Sequence, residues 1–115
     1  MDKKRIVLFR ISDLLIRSKI ELIASGRLEI LNVSTVKEAT DALTYGTILI
    51  CDLTNASEEL DDVVRVSRHL DAKVLGFYPH VRTEIRRIAL EKGVDYIVPR
   101  SALEARLREL ADKED

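Results

Sequence analysis

Short apolar runs alternate with helix-like segments five times along this chain of 115 residues. The runs are rich in β-branched residues and show little alternation with polar residues, which is typical of strands covered on both faces. They predict five strands, at residues 6–9, 28–33, 48–51, 74–77 and 96–98.

The segments between these runs carry apolar residues at helical spacing. They predict helices at residues 13–25, 36–45, 58–70 and 82–92, and a fifth helix that begins after Ser101. Ser12 is predicted to cap the first helix, because a serine side chain accepts hydrogen bonds from the free N–H groups of a first turn. Thr35 with Glu38, and Ser101 with Glu104, have the spacing of capping boxes.

This order of elements predicts an α/β fold. Five βα units joined by short connections form a parallel sheet with right-handed crossovers and helices on both faces. The length is close to that of one common domain, so residues 1–115 are expected to form a single domain.

Composition narrows the function classes. A net charge of -1 gives no overall attraction to nucleic acid or to acidic membranes. No apolar run approaches the ~20 residues of a membrane span, and no signal peptide opens the sequence, so we expect a cytoplasmic location. The single cysteine, Cys51, lies inside an apolar run and is expected to be a buried structural thiol.

Asp52 is the candidate for chemistry. It follows the third apolar run, so its carboxylate is expected at the carboxyl edge of the sheet, where folds of this kind place their ligands and reactions. The first run, by contrast, continues into Arg10, Ile11 and Ser12, with no pair of acids. Asp52 therefore has no obvious acidic companions.

Three segments resemble the receiver domain of bacterial and archaeal response regulators. Residues 88–97 resemble the fourth helix, glycine turn and fifth strand of receivers, and residues 48–53 resemble the third strand, which ends in the phosphoacceptor aspartate. Residues 15–17 are more weakly similar to the start of the first receiver helix. The resemblance covers nearly the whole chain and implies a doubly wound, flavodoxin-like (βα)5 fold with strand order 2-1-3-4-5.

The same resemblance implies a degenerate phosphorylation pocket. Receivers hold magnesium with two acids after the first strand, and here those positions fall within residues 10–12. Asp13 is the nearest acid, and we expect it in the first helical turn, pointing elsewhere. Tyr78 occupies the place of the receiver threonine or serine, and Arg100, after Pro99, replaces the receiver lysine.

These departures predict a pseudo-receiver. Phosphoryl transfer depends on a cation that neutralises the equatorial oxygens, and magnesium favours several oxygen ligands. One carboxylate with an arginine nearby makes a poor cation site, so we expect no metal and no cofactor. Arg10 could pair with Asp52 and lower its pKa, or it could be a solvated arginine at the end of a strand. Asp52 itself is either a working phosphoacceptor or a relict carboxylate that pairs with a cation or caps the next loop.

The last third of the chain is rich in arginine. In receivers the fourth helix, fifth strand and fifth helix form a face used for dimerisation and partner docking, and the resemblance implies the same use here. The alternative is a solvated surface, because glutamates are interspersed among the arginines. The residues predicted for this face are Arg82, Arg86, Arg87, Tyr96 and Arg106.

Four functions compete. The leading hypothesis is a non-catalytic signalling module that acts by protein contact or as a homodimer, with neither a membrane nor, directly, a nucleic acid as partner. The others are a genuine phosphorelay receiver phosphorylated at Asp52, a small-molecule sensor with a ligand near Arg10, Asp52 and Tyr78, and an unrelated enzyme on the same fold.

Overall fold

The computed structural model describes residues 5–55 and 58–112, in which strands and helices alternate. The strands are β1 (Arg5–Phe9), β2 (Glu29–Val33), β3 (Ile48–Asp52), β4 (Lys73–Tyr78) and β5 (Tyr96–Pro99). The helices are α1 (Leu14–Ala24), α2 (Val36–Ala42), α3 (Glu58–Leu70), α4 (Thr83–Lys92) and α5 (Leu103–Asp112). Short 3-10 turns, Leu53–Asn55 and Arg100–Ala102, follow β3 and β5.

The five strands form one parallel sheet in the order β2-β1-β3-β4-β5, which confirms the predicted fold. Because the strands are parallel, their carboxyl ends meet at one side of the sheet. We call this side the strand-end edge; it contains the last residues of β1, β3, β4 and β5, which are Phe9, Asp52, Tyr78 and Pro99.

Two apolar layers cover the sheet. One layer joins alternate strand residues, such as Val7 and Leu49, to α2, α3 and α4. The other joins the intervening residues, such as Ile6 and Ile50, to α1 and α5. Strands buried on both faces explain why the apolar runs lack a polar alternation.

The capping residue predicted for the first helix and the end predicted for the second helix are wrong. Asp13, not Ser12, caps α1: its backbone is extended, and its Oδ1 accepts hydrogen bonds from the N–H groups of Leu15 at 2.9 Å and Ile16 at 3.1 Å. The second helix ends at Ala42 rather than at residue 45. The chain turns there because the Thr47 hydroxyl accepts a hydrogen bond from the Thr44 N–H at 3.0 Å.

The two predicted capping boxes have different outcomes. At α2, the Glu38 N–H donates to Thr35 Oγ1 at 3.1 Å, and that hydroxyl donates to Glu38 Oε1 at 3.0 Å, as predicted. At α5, Glu104 instead pairs with Lys19 of α1 at 3.2 Å. A 3-10 turn occupies Arg100–Ala102, so α5 begins two residues after Ser101 and the second box does not form there.

Three ion pairs connect α1, and the turn that follows it, to α5 and the turn that precedes it. The helices run side by side, and the pairs lie at the start, the middle and the end of the contact. They are Asp13 with Arg100, Lys19 with Glu104, and Arg27 with Asp112. Exposed pairs of this kind each contribute little to stability. Together they set the alignment of α1 and α5 along their length. We call them the α1–α5 ladder.

Asp71 provides a stability test. It follows α3 in the left-handed region, with φ at 58°, where a side chain is unfavourable and glycine is not. We expect Asp71→Gly to raise the free energy of unfolding by about 0.5–1 kcal/mol in urea titrations. Asp62→Gly, inside α3, is the matched control and is expected to lower it by about 1 kcal/mol. A loss of stability in both variants would contradict this account.

Across residues 5–55 and 58–112, every helix is too short or too polar to cross a membrane.

Candidate functional site

Asp52 ends β3 at the strand-end edge and is half-buried. Its Oδ1 accepts a hydrogen bond from the Thr54 N–H at 2.9 Å, so the carboxylate caps the 3-10 turn that follows the strand. This is the geometry of the alternative in which Asp52 caps the next loop.

Leu53 and Gly76 fix the turn beside Asp52. The Leu53 side chain is almost completely buried and lies directly on β4 at Gly76. A Cβ added to Gly76 would sit 2.7 Å from three atoms of the Leu53 side chain, closer than carbon atoms approach one another. A glycine inside an apolar strand often marks such a close approach, and this was the sequence signal for the contact.

Of the two alternatives given for Arg10, the ion pair with Asp52 does not form, and the arginine lies exposed at the end of β1. The Arg10 Nε donates to the Ser34 carbonyl at 2.7 Å, and its guanidinium pairs with Glu59 at 2.5 Å. The physical reason lies in the backbone. The backbone of Arg10 is in the left-handed region, with φ at 54°. Its N–H donates to the Val33 carbonyl at the end of β2, and this hydrogen bond holds Arg10 beside β2.

Asp13 and Arg100 are brought together at the start of the α1–α5 ladder. Hydrogen bonds from the first turn, above all from the Ile16 N–H, together with the Arg100 guanidinium, hold the pKa of Asp13 below its ordinary value. The Asp13 carboxylate therefore already has two N–H donors and a cation. Arg100, which was predicted to replace the receiver lysine, forms its ion pair with this carboxylate.

Tyr78 and Ser12 lie in different environments, one buried and one exposed. Tyr78, the last residue of β4, is buried in the layer beneath α2, α3 and α4, together with Ile85. Ser12 is exposed and lines a cleft on the other side of β1. The six predicted pocket residues thus separate into an Asp13–Arg100 pair, Arg10 bound to the end of β2, a buried tyrosine, an exposed serine, and Asp52 bound to its own turn.

No cluster of three or more Asp, Glu, His or Cys side chains suited to a metal ion occurs within residues 5–55 and 58–112.

The cleft beside β1 and β2 was missed from the sequence. It has a volume of about 350 Å³ and lies where these two strands end. Its polar lining consists of Arg10, Ser12, Arg17, Asn32 and Ser34. In the sequence, polar residues follow β1 and lie at the end of β2. They could have indicated the cleft, but only the pairing of the two strands brings them together. Asp52 and Tyr78 do not line this cleft.

The predicted interaction face on α4, β5 and α5 is largely neutralised by its own acids. Arg82 pairs with Glu84, Arg87 with Glu91 at 3.1 Å, and Arg106 with Glu109 at 3.0 Å. The Arg106 guanidinium also lies 5.8 Å from the centre of the Tyr96 ring. Within the part of the chain that the structure describes, Arg86 is the one predicted arginine of this face without an ion-pair partner.

The fold is that of receiver domains. The N-terminal signal receiver domain of a two-component response regulator from Bacteroides fragilis superposes with a TM-score of 0.73 at 14% identity, over 99% of this chain and 100% of that one. The non-phosphorylated HemR receiver domain of Leptospira biflexa gives 0.70 at 16% identity, over 98% of both chains. A protein described as the adenylate cyclase of Rhodopirellula baltica gives 0.64 at 12% identity, over 96% of this chain and 88% of that one.

At these identities the likeness concerns the fold. No family model matches the sequence, and no curated protein matches it.

Proposed function

We propose that residues 1–115 form one receiver-like signalling domain that no longer runs a phosphorylation cycle. It acts by contact with a protein partner in the cytoplasm and is not an enzyme. The observation that carries this proposal is the state of Asp13, the acid nearest to the usual magnesium position. Its carboxylate caps α1 and pairs with Arg100.

The chemistry of a phosphorylated aspartate explains why this matters. Transfer of a phosphoryl group needs a cation beside the acceptor, and magnesium at such a site is held by carboxylates. The acid that could help Asp52 is occupied, and the two nearby arginines are bound to Glu59 and to Asp13. Asp52 would therefore receive a phosphoryl group without charge compensation.

We place the partner contact on α4, β5 and α5. Two residues support this choice: Arg86, which has no ion-pair partner among the described residues, and the half-buried Tyr96 under Arg106. Arginine and tyrosine are enriched where interfaces gain most of their energy. Since most charges of this face are already paired, we expect the contact to depend little on salt.

Phosphorylation provides the test. We expect incubation with acetyl phosphate and magnesium to leave the intact mass of the protein unchanged, because residues 5–55 and 58–112 contain no cluster of side chains suited to hold the metal beside Asp52. The measurement is mass spectrometry of the whole chain at neutral pH, with Asp52→Asn treated in parallel. A phosphoryl mass gain that is absent from Asp52→Asn would overturn the proposal and establish a genuine phosphorelay receiver.

The cleft beside β1 and β2 favours a second candidate, a sensor of small anionic molecules. The side chains of Arg10, Arg17 and Asn32 line this cleft. Its apolar lining consists of Leu8, Ile11 and Val33. A melting temperature that rises with such a ligand, and does not rise in Arg17→Ala, would favour this function over the first.

A further inference from the structure

We propose that α1 is a self-association surface, through which two copies of this chain pair as an antiparallel helix dimer. The apolar side chains of α1 do not all face the core. Leu14, Leu15 and Leu22 are 71%, 64% and 74% exposed, on a helix of 11 residues. A solvent-facing group of large apolar side chains on one element is typical of an interaction site, whereas isolated ones are not.

The exposed leucines lie on one face of α1. Leu14, Ser18 and Leu22 follow one another at spacings of four residues, which places them in one row along the helix, with Leu15 beside it. The opposite face is buried against the sheet through Ile16, Ile20 and Ile23. Ser18 therefore lies at the middle of the outward face, and it is exposed.

The row is symmetric about Ser18, which favours a second copy as the occupant. A two-fold axis through this serine brings Leu14 of each copy against Leu22 of the other. The small serine side chain sits where the helices cross, so they can approach to the ~8–10 Å typical of packed helices. The same surface then serves both partners, as a two-fold interface requires.

Charges on the flank of the row are self-complementary. Arg17 and Glu21 lie on one border of the leucine row, and neither has an ion-pair partner within residues 5–55 and 58–112. In an antiparallel pair, Arg17 of each copy faces Glu21 of the other. The opposite border carries Lys19, which the α1–α5 ladder already pairs with Glu104. The interface thus gains two ion pairs and buries no unpaired lysine.

The size of the surface predicts a weak dimer. One helix of three turns offers less than the ~800 Å² per partner of a standard interface. We expect a reversible equilibrium whose average mass rises with protein concentration in sedimentation experiments. This association does not require the proposed partner contact, because it uses the outward face of α1 and not α4, β5 or α5.

Cysteine cross-linking tests the axis directly. Cys51 is 3% exposed, so a cysteine introduced on the surface is the accessible thiol. Ser18→Cys should form a disulfide-linked dimer readily under diamide, because the axis brings the two Ser18 positions within disulfide distance. Ser25→Cys, at the end of the same helix, is the matched control and should cross-link at least ten-fold more slowly. Equal rates for both variants, or no cross-linking of Ser18→Cys, would overturn the proposal.

Charge reversal tests the identity of the occupant. Arg17→Glu should weaken the dimer, and Arg17→Glu combined with Glu21→Arg should restore it, since both cross-copy pairs are rebuilt. Leu22→Glu should leave the protein monomeric at all concentrations, whereas Val81→Glu, at a position outside α1 that is 73% exposed, should not change the association. Failure of the double variant to restore the dimer, or a wild-type mass independent of concentration, would refute self-association and point to a different partner for α1.

Discussion

The Cys51 thiol should react with Ellman's reagent about 1,000-fold more slowly in the native protein than in the unfolded chain at about pH 8. The thiolate is the reactive form. Burial, and secondarily the negative charge of the neighbouring Asp52, raise the pKa of Cys51 from 9.0 to about 12. At about pH 8 this shift reduces the thiolate fraction by about three orders of magnitude, before any steric protection is counted.

The measurement is the rate of thiol modification with and without denaturing urea. A native rate within ten-fold of the unfolded rate would show that β3 opens readily or that the thiol is not buried. The same shift has a consequence for stability. Because the unfolded chain loses this proton at lower pH than the folded one, the stability that the buried thiol contributes is complete below pH 9 and decreases as the pH rises toward about 12.

Gly76→Val should lower the free energy of unfolding by about 3 kcal/mol, near the upper end for overpacked cores. Gly76 pairs with Cys51 of β3 and Ile97 of β5, so it lies inside the sheet. Valine would otherwise suit a strand, and the loss arises from the contact with the Leu53 side chain, which is almost fully buried and must shift to admit the new atoms. Urea unfolding of the purified variant and of the wild-type protein measures this loss of unfolding free energy.

A double variant separates this contact from other causes. Leu53→Ala alone should cost about 2–5 kcal/mol, because it leaves a cavity beside β4. In Gly76→Val combined with Leu53→Ala the valine fills part of that cavity, so the total loss should be smaller than the sum, with a coupling of about 0.5–3 kcal/mol. Strictly additive losses would show that the glycine serves the backbone and not the side chain of Leu53.

The fold was predictable because its signals are local. Each strand was visible as a short apolar run, and α3 was predicted with the bounds that the structure has. Strand order came from resemblance and not from the runs themselves. Errors occurred where a neighbouring residue offered a competing hydrogen bond, as when Asp13 took the capping role expected of Ser12.

The site was less predictable because its contacts are distant in sequence. The direction of Arg10 depends on a left-handed backbone and on carbonyl groups at the end of β2, and neither can be read from the residues near Arg10. Arg100 pairs with a residue at the opposite end of the chain. The sequence showed that residue 100 is an arginine, but its partner, Asp13, depends on how α1 and α5 pack.

The two outer strands have a consequence for how the molecule can aggregate. β5 is four residues long and ends in Pro99, which has no N–H to offer an incoming strand. At the other border, β2 begins with Glu29, which is held in an ion pair by Arg5. Sheet extension from copy to copy is discouraged at both borders. Concentrated solutions should therefore stay free of fibrils, even where the molecules associate through their helices.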